Sequence, residues 1–203
     1  MACFVCDERP TGFTYPNNES SDCSRCGPSV TLDWKNGQRI LEHMGAHIRH
    51  DTLLDSSQEL CGLCLRPALM CQLYLRKARG VAGSVSVDRR RSKCIHLIRF
   101  NYATASTSSD SSPCSNVPMT CPLCPRDSPA VWRYSLHAHF RGQHCIQSPA
   151  DFPIKISLSR SEKDGMQKVW NSRFKVVKPR KMKLKNKPAL TISEAHRAGL
   201  YLQ

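Results

Sequence analysis

Four pairs of cysteines, each separated by two residues, punctuate the chain at Cys3/Cys6, Cys23/Cys26, Cys61/Cys64 and Cys121/Cys124. Such spacing makes a tight knuckle that aims both thiolates at one cation, and a tetrahedral ion such as Zn2+ then needs two more nitrogen or sulfur ligands. In "CPLCPRDSPAVWRYSLHAHFRGQH" fourteen residues follow Cys124 before His139, and four separate His139 from His144. A usual finger has about twelve in the first gap. The two extra residues fit in the Pro-rich stretch "PRDSPA". His137 satisfies the first gap but leaves six residues before His144, so it reads as a surface residue. The ligand set is Cys121, Cys124, His139 and His144.

An equivalent pattern lies earlier. Cys23 and Cys26 are followed by sixteen residues and then by His43 and His47, one helical turn apart and therefore on one face. Two rivals stand beside this set: His50 in place of His43, and an all-cysteine site from Cys3, Cys6, Cys23 and Cys26. The helical His pair, otherwise unexplained, favours the mixed set. In the middle, Cys61, Cys64, Cys71 and Cys94 suit a third, all-cysteine site. Cys114 or His96 could replace one of them, or Cys71 could simply be a buried apolar residue.

These ligands need elements to hold them. "VWRYSLHAHFRGQH" predicts a helix with Trp132, Leu136 and Phe140 as its apolar stripe. In the earlier motif Ile40 precedes His43 by three residues, and Trp34 is placed to pack behind the site. "SVSVD" predicts a β-like edge with "RRR" exposed beside it. "TASTSSDSSPCSN" has almost no large apolar residue and predicts a mobile linker. Beyond Gln147 the cysteines stop and basic residues accumulate, so a largely disordered tail is expected, with a short helix near "TISEAHRAGL" capped by Ser193. The expected fold class is small α+β: zinc-stabilised finger modules with irregular linkers and a disordered basic tail. The expected boundaries are an N-terminal segment at 1–22, a finger at 23–50, a Cys-rich module at 61–96, a Ser-rich linker at 104–118, a second finger at 119–146 and the tail at 147–203.

The segments "LEHMGAH", "CGLCLRP", "SPCSNVPMTCPLC" and "ISEAHRAGL" resemble a group of degenerate zinc-finger proteins, of the two-cysteine, two-histidine (C2H2) type, from mushroom-forming fungi. The resemblance spans residues 20 to 200. It implies bound zinc and carries no settled function with it.

With twelve cysteines in 203 residues, the compartment decides between disulfides and metal sites. "MACFVCDERP" lacks a charged start and an apolar stretch of signal-peptide length, and nowhere do eighteen apolar residues run together. Both points favour a reducing compartment and metal. Each site has four protein ligands and no open position, which argues against metal catalysis. Glycine-rich phosphate loops and His-Glu-x-x-His are absent, as is the His-x-Glu of nucleobase deaminases. The ligand order does not interleave as a RING-type ligase requires. No membrane and no small-molecule substrate is implied, and the expectation is a protein that is not an enzyme.

The formal charge is +14, of which residues 155–203 hold +10, thirteen Lys and Arg against three Asp and Glu. Such concentrated charge suits DNA or another nucleic acid. On the finger template, Asn36, Arg39 and Glu42 occupy the helix positions that face bases, while Trp132, Ser135 and Ala138 offer little to read with. "KPRKMKLKNK", with Arg180, Lys181, Lys183 and Lys185, suits a nuclear import signal or a phosphate-binding arm. The function expected is that of a zinc-binding nuclear protein linked to DNA. The alternative is a zinc-stabilised adaptor for a protein partner, engaged through the Trp132 helix or the middle module.

Overall fold

A computed structural model describes residues 22–77, 84–154 and 156–174. Cys3 and Cys6, the basic run from Lys178 to Lys187 and the expected helix near Ser193 lie outside the described residues. The fold is small α+β, with three two-stranded antiparallel sheets and four helices among the described residues.

The chain twice builds a hairpin followed by a helix. Strands β1 (Asp22–Cys23) and β2 (Gly27–Thr31) pair around the first knuckle. Helix α1 (Gly37–His50) follows. Its buried Ile40, Leu41 and Met44 face the core, and Asn36 caps it by accepting a 3.2 Å hydrogen bond from the Arg39 N–H. Later, β5 (Pro118–Met119) pairs with β6 (Val131–Trp132), and a 3-10 turn at Arg133–Ser135 leads into α3 (Leu136–His144). The helix expected from Val131 therefore starts five residues later. Trp132 is drawn into a strand, where its ring packs in the main core near Phe100, while Leu136 and Phe140 make a separate apolar cluster with Cys121 and Val131.

Between these units, β3 (Leu75–Lys77) and β4 (Val85–Val87) form a third hairpin, with Arg76 opposite Ser86. Its foot is joined to the last unit: Leu73 bridges Ala130, whose N–H donates to the Leu73 carbonyl at 2.6 Å. Ser135 Oγ donates to the Leu60 carbonyl at 2.9 Å and accepts from the Leu60 N–H at 3.2 Å. Gly62 lies under the Trp132 ring, where a Cβ would come within 2.5 Å of ring carbons.

Two segments differ from expectation. The Ser-rich stretch is no loose linker: it opens with α2 (Tyr102–Ala105), and Ala105, Cys114, Ser115, Asn116 and Val117 are all buried. Serines allow this because their hydroxyls find partners. Ser112 donates to Glu42, and Ser115 donates from both its N–H and its hydroxyl to Glu162. The front of the expected tail is also ordered. Ser159 caps α4 (Arg160–Ser172) by accepting from the Glu162 N–H, a Ser-x-x-Glu start of the capping-box type. Met166, 1% exposed, seats α4 on α1. Tyr134 donates to the buried Glu162 at 2.6 Å, so the carboxylate that opens α4 is bonded to both neighbouring segments. The apolar core consequently runs continuously from Cys23 through Cys61 and Cys94 to Trp132 and Met166. No helix among the described residues is long and apolar enough to cross a membrane.

Candidate metal centres

Two of the hairpins, β1/β2 and β5/β6, position a cysteine knuckle that the following helix closes, and the Cys61/Cys64 knuckle is closed by residues at the foot of β3/β4. Cys23 and Cys26 lie at the turn of β1 and β2, facing His43 and His47 on one face of α1. Cys121 and Cys124 meet His139 and His144 of α3. Cys61 and Cys64 meet Cys71 and Cys94, which flank the β3/β4 hairpin. Within each group the ligand atoms all lie within 4.8 Å of one another. The structure thus gathers the twelve sequence-selected residues into the three expected sets, and each set could hold a metal ion.

Edge lengths test the fit. Metal to sulfur distances of about 2.3 Å and metal to nitrogen distances of about 2.0 Å give tetrahedral edges of roughly 3.3 to 3.8 Å. In the first group Cys23 Sγ to His47 Nε2 is 3.5 Å, Cys26 Sγ to His43 Nε2 is 3.8 Å and Cys26 Sγ to His47 Nε2 is 3.2 Å. In the second, Cys61 to Cys94 is 3.8 Å and Cys64 to Cys71 is 3.3 Å between sulfurs. In the third, Cys121 to His144 and Cys124 to His144 are both 3.3 Å, Cys124 to His139 is 3.4 Å, and the two imidazole nitrogens are 3.3 Å apart. A disulfide needs sulfurs at about 2.05 Å, and the cysteines of all three groups are free.

Electrostatics point the same way. Burial would raise the Cys23 thiol, but hydrogen bonds from His43 and His47 outweigh it and bring it down to about 5. Burial and then the neighbouring Cys23 push Cys26 up to about 12. In the all-cysteine group, hydrogen bonding from Cys61 holds Cys64 well below the ordinary thiol range, while Cys61 is pushed up by the same contact. Paired thiols left to themselves divide into thiolate and thiol. A divalent cation removes the conflict by ionising all its sulfur ligands.

The partners behind the ligands are the residues the sequence did not reveal. His47 Nδ1 lies 2.9 Å from Asp51, and His139 Nδ1 lies 2.8 Å from Glu59. Each carboxylate accepts a hydrogen bond from Nδ1–H and so leaves Nε2 for the ion, the usual outer-shell arrangement of metal-bound histidine. Asp51 follows His47 by one helical turn, a signal present in the sequence. Glu59 is 80 residues from His139 and had none. Burial would raise the Asp51 carboxyl, but hydrogen bonds from His47 and Arg25 outweigh it and lower it. Around the first group, Trp170 of α4 meets the His47 ring edge-on at 5.2 Å, and Arg173 lies over Trp170 at 3.5 Å. Part of the expected tail thus covers the first site.

The rival ligands have other places. His50 faces Trp170 at 6.3 Å between ring centres. His96 stacks on Trp34 at 4.5 Å. Cys114 is buried against α1, where its thiol donates to the Leu41 carbonyl at 3.3 Å. His137 is exposed and packs edge-on against Phe152.

Of the residues expected to face bases, Asn36 is engaged as the α1 cap. Glu42 is 2% exposed, bonded to Ser112 at 2.8 Å and to Arg39 at 3.1 Å. Arg39, with 70% of its side chain accessible, and the capping Asn36 are exposed, and Glu42 is not. The Ser-rich segment thus engages Glu42 through Ser112. Trp132, Ser135 and Ala138 are all buried. Arg180, Lys181, Lys183 and Lys185 lie outside the described residues.

Comparison of the chain with family models, with curated proteins and with solved structures returned no match.

Proposed function

We propose that the three centres hold structural Zn2+ and that the protein is a non-enzymatic, nuclear, C2H2-type zinc-finger protein that acts on nucleic acid. The observation that carries the zinc reading is the saturation of each centre: four protein sulfur or nitrogen atoms within 4.8 Å of one another, with two of the histidines oriented by carboxylates. Four soft and borderline ligands of this kind suit Zn2+ over Mg2+ or Ca2+, which take oxygen. A full coordination shell orders the chain and leaves no position for an activated water. In this reading the ion supplies folding free energy, on the order of 10 to 16 kcal/mol per site in finger peptides. The net charge of +14 supports nucleic acid as the partner.

Elemental analysis of the purified chain should find three zinc ions per molecule, and EDTA should remove them with loss of the helical circular dichroism signal. A metal-free chain that stays folded would refute the zinc reading. Binding to DNA should weaken steeply with salt. A second reading, an adaptor for a protein partner, is favoured by the exposed Leu69 and Met70, 90% and 63% accessible. Leu69 lines a groove of about 420 Å3 between the second and third centres. Salt-tolerant capture of a protein would select it.

A further inference from the structure

The first 154 residues look only mildly basic on average, and that average conceals a separation of charge. Between Cys71 and Cys94 stand seven Lys and Arg and one acidic residue, Asp88. This segment contributes strands β3 and β4, and two ligands of the second centre flank them. Arg76, Lys77, Arg89, Arg90, Arg91 and Lys93 are all exposed. None of the six has an ion-pair partner among the described residues.

Asp88 does not neutralise them, because its carboxylate is committed to the backbone. It accepts from the N–H groups of Arg90 at 3.0 Å and Arg91 at 3.3 Å, and the Ser92 N–H returns to the Asp88 carbonyl at 3.0 Å. The turn that carries the three arginines is therefore folded, and further bonds fasten it to β3: Tyr74 N–H to Ser92 Oγ at 2.9 Å, and Lys93 N–H to the Gln72 carbonyl at 2.7 Å. Arg91 lies over the Tyr74 ring at 4.4 Å, and Arg76 Nε donates to Ser86 at 3.3 Å. These are cations carried on a hydrogen-bonded backbone, most of them guanidinium groups, which suit bidentate contact with phosphate.

We infer that the β3/β4 hairpin is a nucleic-acid phosphate-backbone contact surface, so that the chain engages nucleic acid through the second centre and not through base-reading residues of α1. The inference rests on the nucleic-acid reading above and names its surface. Contact of this kind is indifferent to sequence and accounts for a body in which Asn36 and Glu42 are otherwise engaged.

The test uses the zinc-loaded full chain, a fluorescent 20-base-pair duplex and the matching single strand, titrated at several salt concentrations. Arg89→Gln/Arg90→Gln should lower the salt slope of duplex binding by about 2, near one per lost phosphate contact, and weaken binding several-fold at low salt on unrelated sequences alike. Arg126→Gln/Arg141→Gln removes the same charge from the third unit and should change the slope little. Arg76→Gln/Lys93→Gln repeats the test from the other side of the hairpin, and zinc content and circular dichroism establish that each variant folds. Equal losses in the hairpin and control variants would overturn the inference, as would an unchanged slope with the binding lost instead on replacing Arg180, Lys181, Lys183 and Lys185; in both cases the nucleic-acid reading stands. Failure of the unmodified chain to bind either probe at low salt, or binding only to anionic phospholipid vesicles, would sink the inference and the parent reading together. If the single strand is held more tightly than the duplex, the surface stands and its target is unpaired nucleic acid.

Discussion

Glu59→Ala should loosen the third metal ion most, the second less, and leave the first in place. The His139 Nδ1 to Glu59 distance is 2.8 Å, and the two side chains are only 6% and 23% exposed, so water replaces the carboxylate poorly. Outer-shell partners of metal-bound histidine are worth about 10 to 100-fold in metal affinity, equivalent to about 1.4 to 2.8 kcal/mol. Limited exposure places Glu59→Ala towards the upper end. Glu59→Gln keeps an oxygen acceptor without the charge and should fall near the lower end. Competition with a chromophoric chelator, read by native mass spectrometry, counts the ions retained at each chelator concentration. Alkylation of Cys121 and Cys124 identifies the centre that opens. Release of all three ions at the same chelator concentration in Glu59→Ala and the unmodified chain would refute the argument.

Three further outcomes follow from the core. Met166→Ala empties the seat of α4 on α1 and should cost about 2 to 5 kcal/mol, with early hydrogen exchange in Arg160–Ser172; exchange unchanged from the parent would contradict the packing described. Burial raises the Cys114 thiol to about 12, so mass spectrometry after iodoacetamide at pH 8 should find it unmodified while the exposed Cys145 reacts. The sign of the linkage follows: a thiol higher in the folded than in the unfolded chain stabilises fully below about pH 9, and that contribution is lost as pH climbs towards 12. Cys114→Ala should therefore flatten the alkaline limb of a stability profile measured by denaturant titration.

The metal ligands were legible because knuckle and helix spacing are local geometry, written in residue number. Cys71 and Cys94 were harder, yet few other thiols lay in reach of Cys61 and Cys64. What the sequence concealed was contact between distant segments. Glu59 carries no sign that it will meet His139, and Met166 sits in a stretch whose charge reads as tail. The Ser-rich segment misled for a physical reason: low hydrophobicity suggests a solvated chain, but its serine hydroxyls donate to Glu42 and Glu162, and the Glu162 carboxylate also accepts the Ser115 N–H, so its polar groups stay paired on burial. The helix expected from Val131 failed because Trp132 keeps its i, i+4 spacing to Leu136 while its backbone pairs with β5.

Glu59 has a consequence for how the molecule fills. It stands two residues before Cys61, so ordering the second centre brings the carboxylate to where His139 needs it, and ordering the third holds that stretch of chain for the second. Coupling of that sort must run in both directions. As metal becomes scarce, those two ions should depart nearly together, and a half-loaded protein should be a rare species.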